Sequence, residues 1–306
     1  MGLAVMLGAT LGSLLAAGVP DTGTTPVQVT VSISGQRPAG PSLTTQDLMV
    51  FQDGARRPVV DLKQVSGGSQ GGDLAILVDG SLGSELGLQF GDLEAFVRSL
   101  PPSTWVGVAY AEYGAAKFSQ DFTADHGAVD KALRLPEGQI NAGASIYQSV
   151  QNLLAHWPAD GRMRSVLLVS NGIDIYRGLF DTQAAVNPDL QAAIDQAHKS
   201  GATIFAIYAG GAARLSHRAG LVFNGQDSLE RLTSETGGEA YFQGLSSPVA
   251  FSPFLNDLRE RLGRQYVLTF AAATSEKPGL ARLRVTTEVP LVKISAPNRV
   301  WVPAAQ

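Results

Sequence analysis

Three runs almost free of polar residues mark the middle of the chain: LAILV at 74–78, VLLV at 166–169 and TIFAIY at 203–208. A strand without polar alternation has to be covered on both faces, the condition met in a parallel sheet flanked by helices. The segments between these runs carry the helical period. Leu93, Phe96, Val97 and Leu100 stand at i, i+3, i+4 and i+7 ahead of Pro101-Pro102, and Ile146, Val150, Leu153, Leu154 and Trp157 form a stripe ended by Pro158. Asn187-Pro188 places a cap and a first-turn proline before a helix that runs to about Ser200, with Gly201 as its stop. Two more helices are expected near 226–236 and 250–262, a further strand at 105–110, an edge strand at 117–123 and a short one at 240–242. Repeated strand–helix alternation predicts an α/β fold, a doubly wound, mostly parallel sheet over residues 73–262.

The flanks read differently. VQVTVSIS at 27–34 alternates strictly, as a half-buried strand does. Leu48–Phe51 and Val59–Leu62 flank Asp53-Gly54, a hairpin signal. Residues 26–65 are therefore expected to be all-β, and the Gly/Ser-rich run 66–72 to be a linker. Beyond Gly263, strands are expected at 265–271, 281–288 and 291–295. They lack crossover helices, so the economical arrangement pairs residues 264–303 with 26–65 in one small β-sandwich built from both chain ends, with the α/β domain inserted. Trp105, Trp157 and Trp301 are expected in the core or between domains.

Residues 2–19 are uncharged and apolar. They read as a secretory signal peptide, with small Ala16 and Gly18 before a cleavage point, or as an anchor, although a span takes about 20 apolar residues. The expectation is a secreted or periplasmic protein that loses residues 1–19 and keeps no membrane span. Composition narrows the function. With no cysteine, disulfides, thiolate metal sites and a cysteine nucleophile are excluded together. The 23 basic and 27 acidic residues leave a net charge of −4 with no basic cluster, which argues against a nucleic-acid partner.

In open α/β sheets ligands sit beyond the carboxyl ends of the strands. The loop there after the first buried strand is Asp79-Gly80-Ser81-Leu82-Gly83-Ser84. A carboxylate followed by small hydroxylated residues is a hard-oxygen arrangement suited to Mg²⁺. The loop lacks the lysine and glycine spacing of a phosphate loop, and with Asp at 79 it is not a hydrolase nucleophile elbow. His126, His156, His198 and His217 offer no partner beside a strand-end serine.

LAILVDGSLGSE, then AGASIYQSV, then SVLLVSNGID resembles, in order and spacing, a von Willebrand factor A domain over about residues 72–262. The flanking LTTQDLMVFQDGARRPVVDL and QYVLTF…LRVTTEV…APNRVWVP resemble the β segments that bracket that domain in secreted bacterial proteins of the acidobacterial VWFA-related type. The resemblance implies adhesion, scaffolding or partner binding at a metal-ion-dependent adhesion site written D-x-S-x-S, then a threonine, then an aspartate. Carried over, the ligand positions are Asp79 and Ser81, intact, then Gly83, Ala144 and Asn171, with Ser145 and Asp174 close by but out of place. That leaves one carboxylate, so the expectation is a degenerate metal site (Asp79, Ser81, Asn171) and no cofactor. Ser84, Ser145, Asp174, Tyr176, Arg177, Arg214 and Arg218 lie in loops of the same sheet end and are the candidate partner-binding residues, with His217 beside them. The long segment 210–224 between strand and helix favours a functional loop. The reading is a non-catalytic, exported protein-binding module that works without metal. The alternatives are a Mg²⁺-dependent adhesion module and, in a different class, a hydrolase using Asp79 and Ser81.

Overall fold

The computed structural model describes residues 23–35, 43–65, 71–136, 144–210, 218–246 and 248–305. The apolar segment 2–19, residues 66–70 of the expected linker, Arg214 and His217 lie outside the described residues.

A six-stranded sheet is built from β5 (Gly72–Asp79), β6 (Trp105–Glu112), β7 (Ala115–Thr123), β8 (Met163–Ser170), β9 (Thr203–Tyr208) and β10 (Ala240–Tyr241). Its spatial order is β10-β9-β8-β5-β6-β7, parallel except for the edge strand β7, which runs antiparallel to β6. Counted from β5, this is the 3-2-1-4-5-6 order of doubly wound sheets. Each central strand sends alternate residues to opposite faces. Ala75, Leu77, Val166, Leu168, Ile204 and Ala206 meet α3 (Ile146–Ala155), α4 (Pro188–Ser200) and α5 (Ala219–Glu235). Leu74, Ile76, Val78, Leu167, Val169, Phe205 and Ile207 meet α1 (Phe90–Ser99), α2 (His126–Ala132) and α6 (Ser252–Gly263). The uninterrupted apolar runs are thus the cost of covering both faces.

Two antiparallel four-stranded sheets are formed by the flanking segments. One has the order β13-β1-β11-β4 and the other β14-β12-β2-β3. Their strands are β1 (Thr24–Ser34), β2 (Leu48–Gln52), β3 (Ala55–Arg57), β4 (Val59–Gln64), β11 (Gln265–Ala273), β12 (Gly279–Thr287), β13 (Lys293–Ser295) and β14 (Arg299–Val302). Val27, Val29, Val31, Val50, Leu268, Phe270, Val285 and Val300 pack between the two sheets.

Several sequence expectations need correcting. Asp53 and Gly54 turn with φ of 50° and 86°, as a two-residue hairpin requires, but the partner of β2 is Ala55–Arg57. Pro58, without an N–H, ends that strand, and Val59–Gln64 crosses to β11 in the other sheet. Gly72, placed in the linker by its composition, is the first residue of β5. Helix α5 begins at Ala219 rather than near 226, which shortens the expected loop; Leu221, Val222, Leu229 and Leu232 are its buried stripe, obscured by Gly220, Asn224 and Gly225. Helix α2 was not expected; it buries only Val129 and is capped by the Asp125 carboxylate, which accepts from Gly127 and Ala128 N–H. Trp157 is buried and Trp301 half-buried, but Trp105 is 41% exposed.

Trp105 is covered on one side by the Arg162 guanidinium, 4.8 Å from its ring centroid. Arg162 Nε also donates to the fully buried Asp73 carboxylate at 2.5 Å, and its Nη2 to the carbonyls of Gly72 (3.1 Å) and Ser103 (2.6 Å). Burial pushes the Asp73 carboxyl above its ordinary value against the pull of Arg162. Removing the cation leaves an uncompensated buried carboxylate, so Arg162→Ala is expected to lower unfolding free energy by about 3 kcal/mol. Urea unfolding of both proteins checks this; a change below about 1 kcal/mol would show that the pair contributes little.

Candidate functional site

The carboxyl ends of β5, β8 and β9 converge on one surface, and the loops leaving them carry the candidate residues. Asp79 ends β5 and is 5% exposed. Its Oδ1 accepts the Ser81 N–H at 2.9 Å and its Oδ2 the hydroxyl of Ser170 at 2.7 Å. Ser170, the last residue of β8, is fully buried and accepts in turn from the Gly172 N–H. This serine was not singled out by sequence; at the end of an apolar strand it reads as core.

Asn171 turns its amide oxygen onto the Ile173 N–H at 2.8 Å, a local turn bond. Asp174 is buried, and its carboxylate joins three segments. Oδ2 accepts the Ser145 hydroxyl at 2.6 Å and Asn187 Nδ2 at 3.0 Å, and Oδ1 accepts the Tyr176 N–H at 3.0 Å. Ser145 also accepts from Tyr147 N–H as the cap of α3, and Asn187 from Leu190 N–H as the cap of α4. The carboxylate therefore lies before two helix N-termini, where negative charge is favoured. The sequence brought Ser145 and Asp174 to one surface; their direct bond follows from tertiary packing that no local signal reports.

Two glycines fix the depth of this loop. A Cβ on Gly225 of α5 would lie 2.3 Å from the Asn171 carbonyl oxygen, and one on Gly172 2.3 Å from the Gly225 carbonyl oxygen. Gly172 also has φ of +68°. Helix and loop meet backbone to backbone, which only glycine permits. Tyr147 donates its hydroxyl to the Gly172 carbonyl at 2.8 Å, and burial raises that hydroxyl above its ordinary range, so it remains a donor.

Further out, Arg177 makes a forked pair with Asp189 in the first turn of α4, Nε to Oδ2 at 2.7 Å and Nη2 to Oδ1 at 3.0 Å. Its guanidinium also sits 5.7 Å from the ring of Tyr176, which is 42% exposed. Ser84 and Arg218 are exposed, at the starts of a short 3₁₀ turn (Ser84–Gln89) and of α5.

As a metal site, this donor set does not fit a resident Mg²⁺. Both oxygens of Asp79 and the amide oxygen of Asn171 are held in internal hydrogen bonds, Gly83 and Ala144 supply no side-chain oxygen, and the Ser145 hydroxyl is turned to Asp174. With no side-chain oxygen at two of the five expected positions and one carboxylate among the rest, near-octahedral Mg²⁺ would have to complete its shell mostly with water. Among the described residues no group of three or more His, Asp or Glu is placed to hold a metal. Among the described residues no histidine is placed beside Ser81. His126, His156 and His198 bond to the carbonyls of Thr104, Asn152 and Glu235, away from the loop.

The same surface exposes large apolar side chains, of which sequence reading named only Tyr176. Leu88 follows β5; Tyr176, Leu179, Phe180 and Val186 follow β8; Phe223 follows β9; and Phe242, Leu245 and Val249 follow β10. Phe180 is 68% exposed and Phe223 57%. Their elements are tied by Asn224 Nδ2 donating to Thr182 Oγ1 at 2.8 Å. Beside the Asp79 loop, Leu82, Leu86, Ala209, Val249 and Phe251 line an apolar cleft of about 250 Å³.

The Asp189 carboxyl is held below its ordinary value, first by the hydrogen bonds of Arg177. A depressed acid contributes stability above its unfolded pKa and loses it as pH falls through the folded value. Asp189→Asn should therefore cost about 1 kcal/mol at neutral pH, and the gap to wild type should close in acid as the wild-type carboxyl protonates. Unfolding curves across pH check this, and a gap unchanged in acid would remove the ion pair as its cause.

No family model matches the chain, and no curated protein does. Among solved structures, the model is similar to the conserved hypothetical protein BatB from Bacteroides thetaiotaomicron, 12% identical over 63% of this chain and 97% of that one, with a TM-score of 0.47. It is similar to an aerotolerance-related membrane protein from Bacteroides fragilis, 14% identical over 63% and 98%, TM-score 0.44. It is also similar to the vWF domain of the type V pili tip protein Mfa5 from Porphyromonas gingivalis, 11% identical over 63% and 95%, TM-score 0.43. Likenesses this distant carry no argument about activity. On its own strand order, its antiparallel edge strand and the place of Asp79 at the end of the first buried strand, the six-stranded unit is the doubly wound, mostly parallel α/β sheet that the sequence predicts.

Proposed function

We propose that the chain is an exported, non-catalytic binding module that docks a protein partner at the carboxyl-end face of its six-stranded sheet, without a metal ion. The observation that carries this reading is the contrast on that face. The side-chain oxygens of Asp79, Asn171 and Asp174 are hydrogen-bonded inward while Tyr176, Leu179, Phe180 and Phe223 are exposed. Large apolar side chains gathered at one sheet end are suited to docking, and aromatic side chains are favoured anchors in protein interfaces. The rim supplies Arg218, with Arg177 positioned by Asp189. Export accords with the apolar segment 2–19, and among the described residues no helix is long and apolar enough to cross a membrane.

Two measurements test the reading. Thermal unfolding with Mg²⁺, Mn²⁺ or Ca²⁺ should show no saturable shift, whereas an ion at ~100 times its dissociation constant would add about 2.7 kcal/mol to the folded state. A saturable shift abolished by Asp79→Ala would replace this reading with metal-dependent adhesion. Affinity capture from the periplasm or medium of the producing cell should then yield a partner that survives EDTA and is lost, by about tenfold or more, with Phe180→Asp plus Phe223→Asp. Capture that needs a divalent ion, or that ignores both substitutions, would place the interface elsewhere.

A further inference from the structure

The β14-β12-β2-β3 sheet sends Val50, Leu283, Val285, Val300 and Val302 into the sandwich core, so the alternate residues of its strands project from the outer face. In register, Arg284, Phe51 and Arg56 stand across β12, β2 and β3, and Arg282 stands beside Arg299 across β12 and β14. With strands about 4.8 Å apart, the four arginines spread over a width of roughly 14 Å on one open sheet surface. No outward strand position on this face is Asp or Glu.

All four arginines are exposed, and none makes an ion pair with any described residue. The Asp53 carboxylate, in the turn between β2 and β3, accepts the Arg282 N–H at 2.9 Å. The cations come from separate stretches of a chain whose net charge is −4, so no basic run in the sequence announces them. Like charges within a Debye length of about 8–10 Å repel one another, and a face of this kind is most favourable beside negative charge.

Two aromatic rings lie among the cations. The Arg284 guanidinium sits 4.3 Å from the Phe51 ring centroid. Trp301, half-buried, follows Arg299 on the same side of β14, with Lys199 Nζ 5.8 Å from its ring. Arginine interspersed with aromatic residues is the composition of surfaces that lie at lipid headgroups.

The course of the chain points the same way. The Gly23 carbonyl accepts both the N–H and the hydroxyl of Thr274, so the first described residue sits at the connection from β11 to β12, near Arg282. Residues 20–22 separate it from the apolar segment 2–19, a reach of at most about 14 Å. As signal peptide or as anchor, that segment brings this end of the sandwich to a bilayer.

We propose that the outer face of this sheet is a docking surface for an anionic phospholipid membrane, its arginines set against lipid phosphates and Phe51 and Trp301 at headgroup level. The face belongs to the sandwich and is separate from the carboxyl-end face of the α/β sheet, so either reading stands if the other fails.

The test is co-sedimentation of the full chain with vesicles of phosphatidylcholine alone and of phosphatidylcholine and phosphatidylglycerol in two-to-one ratio. Neutral vesicles measure what the apolar segment contributes by itself. Affinity for the anionic vesicles should be higher by about a hundredfold or more and should fall as salt is raised. Arg56→Ala plus Arg282→Ala, at exposed unpaired positions, should weaken binding to anionic vesicles about tenfold or more and leave neutral vesicles and the melting temperature unaffected. Lys131→Ala plus Arg259→Ala removes the same charge from exposed positions of the α/β unit and should change affinity by less than about twofold. The proposal is overturned by equal affinity for the two vesicles, or by equal losses in the two double variants. Retention on heparin without preference for anionic vesicles would also overturn it, and would make the face a site for a soluble polyanion.

Discussion

A parallel sheet stays dry only if both faces are covered, and every other feature of the α/β unit follows from that requirement. β5, β8 and β9 cannot alternate apolar with polar residues, so their sequences are unbroken apolar runs. Each must be followed by a crossover that returns along one face, which places the strand-to-helix loops together at the carboxyl ends. Asp79, Ser170 and Tyr208 are the last residues of those three strands. The concentration of polar chemistry at one end of the sheet is a consequence of its connectivity before it is a matter of function.

How that chemistry is arranged was only partly legible in the sequence. The buried runs and the stripes of α1 and α3 follow from periodicity, because burial on a fixed face leaves a regular imprint, and α4 follows from its cap and stop at Asn187-Pro188 and Gly201. Asp79 and Ser81 were legible because a carboxylate at the end of a buried strand has few structural reasons to be there. Other features leave no such imprint. The sheet switch at Pro58 depends on which strand lies nearest, and the start of α5 on a stripe diluted by Gly220 and Gly225. Gly225 looked like an interruption of a helix, yet it is what lets α5 rest on the Asn171 carbonyl. Ser170 and Asn187 bond to carboxylates distant in sequence, from Asp79 to Ser170 and from Asp174 to Asn187, and only tertiary contact reveals them. Apart from Tyr176, the exposed apolar side chains were equally hidden, since an exposed Phe and a buried Phe are the same letter.

The buried polar residues around the Asp174 loop satisfy one another. Around Asp174 each carboxylate oxygen finds a donor from the chain itself, and both flanking helices take their caps from the residues that bind it. This group is closed, and it fixes the loops that carry Tyr176, Leu179 and Phe180. A polar group closed in this way acts as structure, in contrast to one whose donors and acceptors stay open to a ligand.

That distinction also bears on how the carboxyl-end face can bind. A cation entering beside Asp79 would have to share the carboxylate with the Ser170 hydroxyl and the Ser81 N–H and share the Asn171 oxygen with Ile173, while Gly83 and Ala144 add no side-chain oxygen. An apolar partner surface asks for none of these changes. Seating a side chain against Phe180 and Phe223 removes apolar area from water at about 25 cal/mol per Å² and leaves the hydrogen bonds behind the loops intact. On the proposed reading, the bonds around Asp174 that fix the loop of Tyr176, Leu179 and Phe180 stay intact when a partner docks.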